Sequence, residues 1–182
     1  MPVTIGSKPE STFADPIGLL GDCHRRIERF LAVLVKVAGE ARGGPMSEDQ
    51  RTACTTALRY FREAAPKHTA DEEESLFPRL RAIDRPDVQT LLTKVASLEE
   101  DHVLAGTGHA EVDRLGCLWL AQDHLSPEQS ARLNTVLGEL AELYRHHIEI
   151  EDRDVFPLSA AVLSPADQKA IGAEMASRRN LI

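Results

Sequence analysis

Histidine and glutamate recur in this chain at one spacing, twice. His68 is followed four residues later by Glu72, and His147 by Glu151; Phe77-Pro78 and Phe156-Pro157 then close the two segments. Four residues is just over one helical turn, roughly 40° of rotation and about 6 Å of rise, so each imidazole and its carboxylate share a face. Imidazole and carboxylate without thiolate are the donors that suit iron, manganese or zinc. Two such pairs facing each other describe a metal site.

The elements that position them read as long helices. Asp15-Pro16 supplies an N-cap and a first-turn proline. Ile17, Leu20, Ile27, Leu31 and Leu34 follow at helical spacing with His24 on the same stripe, until Gly43-Gly44-Pro45. Ser47 to Gln50 is a capping box opening a second helix, which carries Leu58, Phe61, Ala65, His68, Glu72 and Leu76 inward. Pro66 lies inside it, and because the apolar period continues past the proline the expectation is a kink rather than a stop. A third helix after Pro86 aligns Leu91, Val95, Leu98, His102, Ala105, His109 and Val112, with Gly106 and Gly108 expected to bend or break its middle. A second capping box, Ser126 to Gln129, opens a fourth helix with Val136, Leu140, Leu143, His147 and Glu151 inward. Ser164-Pro165 starts a short last one, ending in Ser-Arg-Arg-Asn near residue 180. No useful strand alternation occurs. The fold class is all-α, an antiparallel up-down-up-down four-helix bundle with an additional short C-terminal helix.

One histidine per long helix then falls on each inward stripe: His24, His68, His102 and His147, separated by 44, 34 and 45 residues. Those intervals return successive antiparallel helices to one level. Four imidazoles and two carboxylates are costly to bury without a shared partner, and a dinuclear metal centre removes that cost. Iron is the first choice, ahead of zinc or manganese. The order differs from the ferritin-like plan, which places glutamate first and histidine three residues on.

Composition sets the outer limits. The 182 residues suit one domain, read as a flexible arm over 1–14 and a helical domain over 15–182. A net charge of −8 argues against nucleic acid or an anionic membrane as partner. No apolar run approaches the roughly 20 residues of a membrane span, and the polar start lacks a secretory core. Cys23, Cys54 and Cys117 lack close spacing and read as reduced, mostly buried thiols of a cytoplasmic protein. The acidic runs Asp71 to Glu74 and Glu149 to Asp154 read first as solvated faces, second as a field drawing cations inward. His109, about 10 Å along the helix from His102, is expected to be satisfied by other side chains; His146 should point away and His124 lie exposed in a loop. Tyr60 and Tyr144 are candidates for hydrogen bonds to the metal-binding side chains.

The two His-to-Phe-Pro segments resemble the signature of the hemerythrin-like family, the HHE cation-binding domains, and the likeness extends from about Asp15 to Arg179. That resemblance implies a di-iron centre, oxo- or hydroxo-bridged, held by His24, His68, Glu72, His102, His147 and Glu151, with the glutamates bridging. Gly106 stands where oxygen-carrying members place a second third-helix histidine, which leaves one ion more open and argues against reversible oxygen carriage. The remaining set is similar to the di-iron domain of proteins that repair iron–sulfur clusters under stress. Those commonly carry a cysteine-containing N-terminal domain, whereas residues 1–14 hold no cysteine. The functional expectation is a protein that binds or reduces a small ligand: oxygen, nitric oxide or hydrogen peroxide. Turnover would make it an enzyme. The alternatives are a sensor or store of oxygen or iron acting through a partner protein, and a helical scaffold with structural histidines.

Overall fold

The computed structural model describes residues 10–181, and among these there is no strand. Of the arm expected over 1–14, residues 1–9 lie outside the described residues. Beyond them, the Ser11 amide donates to Asp22 Oδ2 at 2.6 Å and Phe13 packs on the lower core.

Four rods make the bundle. The first is α1 (Pro16–Ala41), capped by Asp15, whose side chain accepts from the Gly18 amide at 3.0 Å. It stops where Arg42 and Gly43 turn left-handed at φ 49° and 76°. The second comprises α2 (Glu48–Glu63), α3 (Ala65–Ala70), a π-helical stretch (Asp71–Leu76) and α4 (Phe77–Arg81). The third is α5 (Pro86–Gln122). The fourth comprises α6 (Pro127–Ile150), a second π-helical stretch (Glu151–Val155) and α7 (Phe156–Val162). Helices α1 and α5 are each flanked by α2 and α6, which is the square arrangement of an up-down-up-down bundle. The last helix, α8 (Pro165–Arg178), lies against α1 and the first π-helical stretch.

Both capping boxes form: the Gln50 amide donates to Ser47 Oγ and the Gln129 amide to Ser126 Oγ, each at 3.2 Å, with the reciprocal side-chain bonds in place. At Pro66 the hydrogen-bond ladder is interrupted at Ala64, which keeps helical dihedrals, so the rod continues as a kink. Helix α5 departs from expectation: it runs 37 residues without a break at Gly106 or Gly108. Tertiary packing overrides the helix cost of glycine, about 1 kcal/mol each. Gly108 lets α6 close in, because a Cβ there would sit 2.8 Å from Leu140 Cδ2.

The π-helical stretches have a local cause. Proline lacks an amide hydrogen, and its ring presses on the carbonyl four residues back. Upstream of Pro78 and Pro157 the helix widens instead, so that the Phe77 amide donates to the Glu72 carbonyl and the Phe156 amide to the Glu151 carbonyl, five residues back. Such wide turns concentrate at functional sites. Here each begins at or next to a glutamate of the duplicated motif.

Hydrophobic side chains form two clusters rather than one continuous core. One runs from Ile27 through Ala65, Ala105 and Tyr144 to the α1 C-terminal end; the other holds Leu20, Leu76, Leu98 and Val155. On every rod the histidine of the inward stripe falls between a member of one cluster and a member of the other. A polar layer therefore crosses the bundle at one level, with apolar packing above and below.

Candidate metal centre

The structure brings all six sequence-predicted side chains into that layer. His24, His68, Glu72 and Glu151 form one group of potential donors, and Glu72, His102, His147 and Glu151 form another, with the donor atoms of each group within 4.8 Å of one another. Both glutamates belong to both groups. Each imidazole turns Nε2 inward: His24 lies 3.0 Å from Glu151 Oε2 and 3.9 Å from Glu72 Oε1. His68 lies 3.2 Å from Glu72 Oε1, His102 3.3 Å from Glu72 Oε2, and His147 3.2 Å from Glu151 Oε2.

The surroundings repeat by an approximate twofold relation. One residue after Glu72, Glu73 Oε1 meets His102 Nδ1 at 2.8 Å; one residue after Glu151, Asp152 Oδ1 meets His24 Nδ1 at 2.8 Å. One turn further on, Phe77 stacks on His102 with planes 9° apart, and Phe156 stacks on His24 with planes 16° apart. Each motif thus supplies its own imidazole and carboxylate, then fixes a histidine on a different helix with an acid and an aromatic ring. His147 Nδ1 lies 3.3 Å from Asp101 Oδ2, whereas His68 Nδ1 has no hydrogen-bond partner. A carboxylate on the outward nitrogen sets the tautomer that leaves Nε2 free as a donor to a metal.

The donor set passes a chemical test for a cation. His24 Nε2, His102 Nε2 and both oxygens of Glu72 and of Glu151 are buried without a hydrogen bond. Buried polar atoms are almost always paired, so a cluster of unpaired acceptors facing one another is a cage for positive charge. The titration behaviour agrees. Burial, with the Glu151 charge beside it, pushes the Glu72 carboxyl well above the usual carboxylate range. Burial also acts on Glu151, but His147 and His24 outweigh it and hold that carboxylate low. Burial, aided by His24, keeps His68 well below its ordinary pKa and so neutral. Burial opposes protonation of His24 too, yet Asp152 and Glu151 raise it to about 9.

Two independent comparisons bear on this arrangement. The sequence model of the family described as Hemerythrin HHE cation binding domain matches residues 15–159. The chain belongs to the hemerythrin HHE cation-binding domain family. An uncharacterized protein of Haemophilus influenzae is similar to it, 26% identical over 172 residues that cover 94% of each chain. This hemerythrin-like protein is therefore metal-binding by family and by its cluster of histidine and glutamate donors.

Several surroundings of the hemerythrin-like site differ from expectation. The acidic runs are not merely solvated: Glu73 and Asp152 touch the site histidines, and Asp71 is fully buried between Arg178 and Arg179, with contacts of 3.0 and 2.6 Å. Asp152 also pairs with Arg25. The signal was available, since each acid directly follows or precedes a motif glutamate, but helical periodicity alone does not say which neighbouring helix lies across. Neither tyrosine bonds a site residue; Tyr60 reaches the Cys23 carbonyl at 3.5 Å and Tyr144 reaches His109 Nε2 at 2.9 Å. His109 is thus satisfied by another side chain, as expected. His146 and His124 are exposed, and the second bonds the Gln122 carbonyl. Cys23 and Cys54 are buried, while Cys117 is exposed. No helix among the described residues is long and apolar enough to cross a membrane.

Proposed function

We propose that this hemerythrin-like protein is a non-haem di-iron protein that binds or reduces a small ligand: oxygen, nitric oxide or hydrogen peroxide. The observation that carries the reading is the sharing of Glu72 and Glu151 between two donor groups, each completed by two imidazoles. One shared carboxylate is common around a single ion; two shared by symmetric histidine pairs suit a pair of ions. His24 and His68 would hold one ion, His102 and His147 the other, with both glutamates between them. Imidazole with carboxylate suits iron best among the metals these donors accept. A di-iron pair bound there would supply electrons to a small ligand and a coordination position for it.

The chain's own residues set the conditions for that chemistry. Asp152, Glu73 and Asp101 hold the outward nitrogens of His24, His102 and His147, which orients the rings and raises their basicity. Phe77 and Phe156 cover His102 and His24 and keep water off those faces. Entry is from the side of Gly106, which with His102 lines an open cleft and adds no side chain to narrow it.

Metal analysis of protein from iron-supplied cells tests the first half of the proposal. The expected result is two irons per chain, with a sharp loss in His147→Ala or Glu72→Ala; one ion or fewer, unchanged by either variant, overturns it. Anaerobic addition of nitric oxide and peroxide to reduced protein, followed optically, tests the second. Stoichiometric, reversible spectra without consumption would assign a sensor or store rather than a reductase.

A further inference from the structure

The cleft beside His102 is far larger than the ligands just named. Its volume is about 380 Å³, whereas a water molecule's share of liquid is about 30 Å³. Pockets of 300–1,000 Å³ are the size class that encloses organic molecules. The space exists because small residues face each other where the second rod kinks: Ala65 and Pro66 on one side, Ala105, Gly106 and Ala110 on the other. Protein interiors otherwise close such gaps.

The walls define what fits. Leu58, Phe61, Ala65, Ala105 and Val112 make most of the lining apolar. At one end, Arg62 is neutralised by Asp113 at 2.5 Å, so no unpaired formal charge faces the space from there. On α6, Tyr144 presents the other polar group, bonded to His109 Nε2 at 2.9 Å. His109 stacks on Phe61 with centroids 4.2 Å apart, and its Nδ1 is buried without a partner. An unpartnered N–H is costlier than an unpartnered lone pair, which assigns the proton to Nε2. Nε2 then donates to the Tyr144 oxygen, and the Tyr144 O–H is left free to donate elsewhere. Burial lowers His109 to about 4 and raises Tyr144 above its ordinary value, so both are neutral near pH 7.

We propose that this cleft binds an uncharged, mostly apolar organic molecule whose oxygen accepts a hydrogen bond from Tyr144. The site adjoins the metal centre through His102 but is built from other residues, and its occupancy does not depend on which metal is bound.

Acetophenone is a suitable probe, being neutral, largely apolar and an acceptor only. Ethylbenzene matches its shape without the acceptor, and benzoate carries a charge. Titrations of the full chain, metal-loaded and metal-stripped, are read by calorimetry and by amide chemical shifts. Acetophenone is expected to saturate one site and to shift amides of residues 105–113 in both forms, with benzoate at least tenfold weaker. Tyr144→Phe should weaken acetophenone about 3- to 10-fold, the worth of one hydrogen bond, and leave ethylbenzene unchanged. Gly106→Phe should abolish both, because a side chain there enters open space; its helical spectrum and melting point report whether it folds, and Tyr144→Phe carries the test if it does not. Benzoate binding as tightly as acetophenone, no saturable shift at residues 105–113, or insensitivity to both variants overturns the proposal. Loss of acetophenone binding only on metal removal overturns the claim of an independent site while leaving the metal reading intact.

Discussion

Replacing Asp152 with asparagine isolates the part played by charge behind a histidine of the candidate metal centre. The side chain keeps its shape and can still accept from His24 Nδ1, now 2.8 Å away. What it loses is the negative charge that makes the imidazole a better donor. Loss of such an outer partner weakens metal binding by roughly 10- to 100-fold, or about 1.4 to 2.7 kcal/mol. Asp152 is 32% exposed and shares its charge with Arg25, so the lower end is expected, about tenfold. Glu73→Gln should do the same through His102, from the same 2.8 Å contact. Asp154→Asn is the control: it lies in the same acidic run but pairs with Lys94 on the surface. The assay is chelator competition at neutral pH and fixed salt, giving an apparent dissociation constant for each variant. Equal losses in all three would mean that the run acts as a diffuse field, and an Asp152→Asn protein within twofold of wild type would refute the reasoning outright.

Three further outcomes follow from other parts of the fold. Asp71→Ala strands two arginines of the C-terminal segment that are each about a fifth exposed, and should cost about 2–3 kcal/mol in denaturant unfolding, below the value for a fully buried pair; a loss under half a kcal/mol would show that the clamp is cosmetic. Gly172→Ala places a Cβ 1.9 Å from the Phe13 carbonyl oxygen and should destabilise by about 1–3 kcal/mol, whereas Gly138→Ala meets nothing within 4 Å and should stabilise by about 1 kcal/mol. His109, lowered from 6.5 to about 4, takes its proton more readily in the unfolded chain, so it lowers stability as pH falls from 6.5 toward 4, by about 3 kcal/mol at most. His109→Gln should remove that slope, seen as a wild-type-minus-variant difference that changes with pH in urea titrations; a constant difference argues against the assignment.

The helical stripes were readable because each rod repeats its apolar residues across the histidine that interrupts them. Leu20 and Ile27 bracket His24, and Leu98 and Ala105 bracket His102, so the shared level of the imidazoles followed from periodicity and loop length. Both serine capping boxes were equally plain. The wide turns at Asp71–Leu76 and Glu151–Val155 were not, although the prolines that accompany them were in view. A proline says that a ladder bond is missing, not whether the chain breaks, kinks or widens, and Pro66 and Pro78 take different outcomes within one rod. Widening by a residue shifts everything downstream, and that shift is what carries Phe77 and Phe156 onto histidines of other helices. The uninterrupted α5 shows the opposite error, with local propensity overruled by packing at Gly108.

The reciprocal bracing of the two motifs bears on how the molecule assembles. The first helical hairpin contributes His24, His68 and Glu72, yet His24 is steadied by Asp152 and Phe156 from the second; His102 in the second is steadied by Glu73 and Phe77 from the first. A hairpin alone would present loosely aimed rings and lack one of the glutamates common to both groups. Strong ion capture should therefore arrive only with docking of the halves, which makes cation uptake a timer for completed folding and guards a half-made chain against trapping metal in the wrong geometry.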